Sequence, residues 1–125
     1  MILGCGIDLA EVERIRRSIE RFGERFLERI YTAGERAYAE RKRNRYERYA
    51  ARFAAKEAGM KALGTGWAGG VTWKDFEVVN LPGGKPALRM SGRAAEVAEQ
   101  LGVRRVSLSL SHTEALAIAQ VILEE

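Results

Sequence analysis

The sequence predicts an α+β domain, with helices gathered in its first half and antiparallel strands mostly in its second. Three observations carry that expectation. Between Leu9 and Leu63 apolar residues recur at spacings of three and four, the period of a buried helix face. Beyond Val71 the chain alternates apolar and polar residues or clusters Val, Trp and Phe, as strands do. Glycine and proline separate the two regimes at Gly64-Thr65-Gly66 and again at Leu81-Pro82-Gly83-Gly84-Lys85-Pro86.

Taken in order, Ile2 to Asp8 reads as a buried strand. No basic region precedes it and no small-residue cleavage site follows, so it is not a signal peptide. Cys5, the single cysteine, excludes an internal disulfide and reads as a small buried hydrophobe. A helix from Leu9 to Phe22 follows, with Val12, Ile15, Ile19 and Phe22 on its buried face, and it breaks near Gly23. A short helix spans Glu24 to Ile30. Thr32 with Glu35 three residues later is a capping box opening another helix, Gly34 to Glu40. After the charged connection Arg41-Lys42-Arg43-Asn44 comes a long helix, Arg45 to Leu63, ended by Gly64 as a left-handed cap. Val71 to Asn80 and Ala87 to Met90 form a hairpin. Ser91 caps a helix to Leu101 that Gly102 stops, and Arg104 to Ser111 and Ala115 to Leu123 are two closing strands.

At 125 residues the chain is expected to be one domain, 1–125. With 46% hydrophobic and 30% charged residues it reads as soluble and cytoplasmic, and no apolar run approaches the roughly 20 residues of a membrane span. Charge is uneven: residues 11–52 hold 13 Lys/Arg against 8 Asp/Glu, while the rest of the chain is nearly balanced. Such a basic half suits a polyanionic partner: nucleic acid, a phosphorylated small molecule or an acidic protein.

The long helix breaks its own pattern. Its stripe runs through Tyr46, Tyr49, Ala50, Phe53, Met60 and Leu63, yet Glu57 falls in line with Phe53 and Ala50, and Lys61 stands one turn beyond. Charges beside an apolar face need a partner, and such breaks concentrate at functional sites. Asp8, at a strand end, reads either as a helix N-cap or as a hard-metal ligand, with Glu57 as the second carboxylate of a Mg²⁺ site. Glu57 and Lys61 also read as a plain i,i+4 ion pair. Gly64-Thr65-Gly66 is a C-cap or a phosphate-binding turn, but not a P-loop, because the lysine precedes the glycines. His112, the only histidine, ends a strand whose alternation turns Ser107, Ser109 and Ser111 to one face. It is structural or phosphate-binding, since no nucleophile elbow accompanies it. Arg14, Arg17 and Arg21 lie within a narrow arc of the first helix, away from its apolar face, and Arg25 would extend the row across Gly23. They form a solvated face or a dock for an acidic partner.

Five strings occur in one order: Gly6-Ile7-Asp8-Leu9-Ala10-Glu11-Val12-Glu13-Arg14-Ile15, Arg52-Phe53-Ala54-Ala55-Lys56-Glu57-Ala58, Lys61-Ala62-Leu63-Gly64-Thr65-Gly66, Gly84-Lys85-Pro86 and Ser109-Leu110-Ser111-His112-Thr113. Together they resemble the small bacterial 4′-phosphopantetheinyl transferases of the holo-[acyl-carrier-protein] synthase type, over nearly the whole chain. The resemblance implies an antiparallel sheet packed against a long helix, in a homotrimer with active sites at its interfaces. It implies transfer of 4′-phosphopantetheine from coenzyme A to a carrier-protein serine, in the service of fatty acid biosynthesis, releasing adenosine 3′,5′-bisphosphate. By the same likeness Asp8 and Glu57 hold Mg²⁺, and Lys61 contacts phosphate. Arg52, the Gly64-Thr65-Gly66 segment, Ser109, Ser111 and His112 bind coenzyme A, and Lys85 and Pro86 lie by the adenine of a neighbouring subunit's site. Glu57 is the candidate base, with a water activated by Asp8 as the other possibility. Arg14, Arg17, Arg21 and Arg25 face the acidic carrier protein. One departure stands out: Trp67 occupies a position where that family commonly has an aliphatic residue, in a glycine-rich loop.

Two other function classes fit the sequence less well. A basic nucleic-acid module lacks a ribonucleoprotein, zinc or helix-turn-helix pattern and leaves Glu57 and Lys61 unexplained. A non-catalytic scaffold gives Asp8 and Glu57 no task. The expectation is therefore an enzyme with neither nucleic acid nor membrane as partner.

Overall fold

A computed structural model describes residues 1–66 and 68–125; Trp67 lies outside them. The order of elements is β1 (Ile2–Glu11), α1 (Val12–Phe22), α2 (Glu24–Ile30), α3 (Ala33–Glu40), α4 (Arg45–Leu63), β2 (Phe76–Asn80), β3 (Pro86–Met90), α5 (Gly92–Leu101), β4 (Arg105–His112) and β5 (Leu116–Glu124). This is the α+β architecture expected. A three-stranded antiparallel sheet is ordered β1-β5-β4, and β2 with β3 makes a separate hairpin beside β4.

Helix α4 packs across the inner face of the larger sheet. β5 turns Ala117, Ala119, Val121 and Leu123 inward, all buried, against Ala51, Ala54, Ala55, Ala58 and Ala62 of the helix. Small residues on both surfaces bring the backbones close. The approach is closest at β1, where a Cβ on Gly4 or Gly6 would stand 2.1 Å or 1.9 Å from the carbonyl oxygen of Ala62 or Ala58. Any side chain there would push the helix off the strand.

Several expectations are corrected. β1 does not stop at Asp8: Asp8, Leu9, Ala10 and Glu11 pair with Ala119, Ile118, Ala117 and Leu116, so the strand outruns the helical pattern that begins at Leu9. Asp8 is thus a mid-strand residue and not an N-cap; Glu11 takes that position, without a side-chain cap bond. The stretch Val71 to Asn80 is strand only from Phe76, because Trp73–Asp75 forms a 3-10 turn. Ser91 sits at the N-cap of α5 but its side chain makes no cap bond; Asp75 Oδ2 accepts from the Ala94 amide at 3.2 Å instead. Phe22 is half exposed beneath the Arg21 guanidinium, not buried with Val12, Ile15 and Ile19. Cys5 is exposed, on the outer face of the sheet.

That outer face is apolar where a solvated sheet would be polar. Ile7 (54% exposed) and Leu9 (61%) stand beside Gln120 and Ile118 of β5, which in turn flank Ser109 and Ser111. Leu116 and Ile2 extend the patch.

The capping box is as expected: Thr32 Oγ1 accepts from the Glu35 amide while Glu35 Oε1 accepts from the Thr32 amide. Glu35 does more than cap. It is buried, receives the Val78 amide at 2.8 Å on its other oxygen, and pairs at 2.7 Å with the fully buried Lys56 ammonium. Lys56 Nζ also donates to the carbonyls of Trp73 and Phe76, so one cation ties α4, α3 and the entry to β2. Desolvation holds its pKa below the ordinary lysine value.

Candidate active site

Alternation along β1 places Gly4, Gly6, Asp8 and Ala10 on the side facing α4. The two glycines admit the helix, and Asp8 then meets its C-terminal half. Lys61 Nζ lies 2.9 Å from Asp8 Oδ1 and 3.0 Å from the Ile7 carbonyl oxygen. Asp8 is largely covered, whereas the Lys61 side chain is 57% exposed, farther from the apolar stripe than expected. Glu57 is half-buried one turn before it.

Asp8 and Glu57 line one cleft of about 530 Å³. Arg14 stands on its wall, and Ile15, Phe26, Phe53 and Leu116 supply apolar lining. Asp8 and Glu57, separated by 49 positions in sequence, therefore face the same space, which Glu11 and Arg14 also line, and Lys61 is paired to Asp8 beside it. Carboxylates without His or Cys make a hard oxygen donor set, which suits Mg²⁺ rather than zinc. Among the described residues no group of three or more His, Cys, Asp or Glu is placed to hold an ion by protein alone. Such a half-built site fits Mg²⁺, which keeps waters and takes phosphate oxygens from a substrate.

A second cavity, about 180 Å³, shares no lining residue with the first. Arg48 and Arg52 of α4, Tyr38 of α3, Pro86 of β3 and His112 of β4 border it. It is strongly basic. Arg41, Lys42, Arg48 and Arg52 all lie within 5.9 Å of the Tyr38 ring centroid, Arg52 closest at 4.1 Å. The Arg48 guanidinium donates to the Tyr38 hydroxyl at 3.0 Å. Arg52 is buried, and its Nε has no hydrogen-bond partner among the described residues. Desolvation lowers its pKa from the ordinary arginine value. A buried donor left over in a cluster of cations is a place for an anion.

The expected site residues therefore divide. Asp8, Glu57 and Lys61 come together at the first cleft; Arg52, Pro86 and His112 border the second. Arg48 with Glu57, and Arg52 with Lys61, are nine residues apart, so at about 100° per residue they project from opposite sides of α4. Gly64 is the left-handed cap of α4 at φ 79°, and Thr65 Oγ1 donates to the Gly66 carbonyl. Ser109, Ser111 and Lys85 are exposed. Arg14, Arg17 and Arg21 share the exposed side of α1, while Arg25 belongs to α2, because Gly23 (φ 55°) breaks the row. Sequence reasoning missed Tyr38 and Arg48. The basic run around Arg41 and the i,i+4 spacing of Arg48 and Arg52 were the available signal.

A family model described as the 4′-phosphopantetheinyl transferase superfamily matches residues 4–120. The chain is 66% identical over 124 residues, 99% of each chain, to the holo-[acyl-carrier-protein] synthase of Solibacter usitatus. Its fold superposes on the crystal structure of holo-[acyl-carrier-protein] synthase from Neisseria meningitidis with a TM-score of 0.91 at 36% identity, covering 100% of both chains. For the Bacillus anthracis holo-(acyl-carrier-protein) synthase, solved in complex with CoA (3',5'-ADP), the TM-score is 0.81 at 41% identity, over 98% of this chain and 96% of that one. On its sequence, its fold and the carboxylate pair that the fold assembles, this chain belongs to the 4′-phosphopantetheinyl transferase superfamily.

Proposed function

We propose that the chain transfers 4′-phosphopantetheine from coenzyme A to a serine of apo acyl carrier protein, leaving adenosine 3′,5′-bisphosphate. The observation that carries this reading is the convergence of Asp8, Glu57 and Lys61 at one cleft. The serine oxygen bonds to the phosphorus bearing the pantetheine arm, and the pyrophosphate bond breaks toward the nucleotide.

Such displacement is catalysed by positioning and by neutralising charge. Mg²⁺ held by the Asp8 and Glu57 carboxylates would supply charge stabilisation on the pyrophosphate. Lys61, poised against Asp8, turns its remaining donors to a phosphate oxygen. Glu57 takes the serine proton, directly or through a water; a water activated by Asp8 is the other route. The turn at Gly64, Thr65 and Gly66, which directly follows Lys61 at the end of α4, is assigned to the same phosphates. The second cavity, with Arg52 and His112, takes the nucleotide end of the donor, with Lys85 and Pro86 by the adenine; Ser109 and Ser111, turned to the outer face of β4, stand apart from that cavity. Arg14, Arg17, Arg21 and Arg25 steer and register the acidic carrier protein.

The two cavities lie on opposite sides of α4, and the outer face of the sheet exposes an apolar patch. Both features support self-association, in which one donor molecule spans the metal end of one protomer and the nucleotide end of its neighbour. A homotrimer in the cytoplasm is the form proposed. No helix of the described residues is long and apolar enough to cross a membrane. The test is to incubate the protein with Mg²⁺, coenzyme A and apo carrier protein and weigh the carrier by mass spectrometry. A gain of one phosphopantetheine arm, abolished by chelator and restored by Mg²⁺, is expected; no gain with several carriers refutes the activity.

A further inference from the structure

We infer that Glu47 is a positioning residue for donor recognition: it anchors the His112 imidazole so that the ring's other nitrogen meets the terminal 3′-phosphate of coenzyme A. The inference rests on the proposed reading of the second cavity as the nucleotide end of the site.

Glu47, in the first turn of α4, is an acid set among Arg41, Lys42, Arg48 and Arg52. A carboxylate in such company would be expected to pair with a guanidinium. Among the described residues its ion-pair partner is instead His112, which approaches from β4 with Nδ1 2.9 Å from Glu47 Oε1. Both side chains are mostly covered. The pairing leaves the arginines for an anion, and Arg52 keeps a buried Nε with no partner.

His112 also needs an anchor. It is the last residue of β4, where the strand gives way to the turn at Thr113, and among the described residues β4 is hydrogen-bonded only to β5. A ring free to turn would lose that freedom on binding, and Glu47 removes it beforehand. With Nδ1–H committed to the carboxylate, Nε2 is the nitrogen available to the cavity that His112 lines. The pyrophosphate belongs to the Asp8 and Glu57 cleft, so the phosphate left for this cavity is the 3′-phosphate.

Steady-state kinetics with coenzyme A and with 3′-dephospho-coenzyme A test this. Glu47→Ala should raise the KM for coenzyme A about tenfold, with kcat within about twofold and the KM for the dephospho donor moved by less than about twofold. Glu47→Gln, whose amide oxygen still accepts from Nδ1–H, should recover part of the loss; it also carries the test if the alanine variant fails to fold by circular dichroism. The Glu47→Ala/His112→Ala double variant should be no worse than His112→Ala. Equal KM increases for both donors, an effect confined to kcat, or additive losses in the double variant would overturn the assignment. A wild-type protein that transfers from both donors with one KM refutes this inference and leaves the activity standing. Transfer from neither refutes the activity and this inference with it.

Discussion

Lys61 and Asp8 form an ion pair that joins the last turns of α4 to the middle of β1, 2.9 Å between Nζ and Oδ1. Lys61 thus holds the carboxylate in place and, on the proposed mechanism, stands where a phosphate oxygen would arrive. Lys61→Met should lower kcat by about 10²-fold or more, the scale of a lost charge-stabilising donor. Glu57→Gln should abolish turnover while leaving the circular dichroism spectrum and melting curve near wild type. Wild-type turnover in either variant, measured by transfer to apo carrier protein, would remove that residue from the chemistry.

The Lys56–Glu35 pair is a matter of stability. Both groups are fully buried, and each also bonds to the backbone of a neighbouring element. Lys56→Met leaves a carboxylate buried without its cation, which should cost about 3–5 kcal/mol in urea unfolding. Pairing it with Glu35→Gln should cost less than the two single changes summed, because they share one interaction. Additive losses would show that the two groups act independently.

Gly6→Ala tests how the fold builds the site. Its Cβ would fall 1.9 Å from the Ala58 carbonyl oxygen, a backbone atom that cannot yield without shifting α4. Glu57 and Lys61 move with the helix. Activity should therefore fall by at least about tenfold under conditions where the variant is still folded, given how sharply catalysis depends on placement at the ångström scale. Activity matching wild type in a folded variant would mean that the site tolerates a displaced helix.

Arg14 and Arg21 share the exposed side of α1, but Arg14 also borders the cleft that holds Asp8 and Glu57. Reversing both to Glu should raise the carrier-protein KM by about tenfold or more and flatten its salt dependence. An unchanged carrier KM would contradict the docking role.

Much of this was legible in the chain. Helix order, the capping box and the β2–β3 hairpin followed from spacing and turn residues. The pattern break at Glu57 pointed to the half of α4 that meets Asp8 of β1. What local pattern could not supply was depth. A single apolar stripe was read on a helix that is buried on most sides, so the pattern singled out Glu57 and Lys61, while the cation most fully enclosed is Lys56. β1 was cut short because Leu9 and Val12 open a helical period, whereas pairing with β5 carries the strand to Glu11. Cys5 and Ile7 looked like core residues, since nothing in one sequence distinguishes an inward face from a face that awaits another surface.

On the proposed reading, the metal-holding carboxylates lie on one side of α4 and the nucleotide cavity on the other, which makes each polypeptide two half-enzymes back to back. Blending two impaired preparations, Glu57→Gln and His112→Ala, should then regenerate some fully active centres once protomers exchange, because a crippled metal end and a crippled nucleotide end can segregate into the same junction and leave a neighbouring junction whole. Inheritance of a defect would follow the seam between copies rather than the chain that carries the mutation.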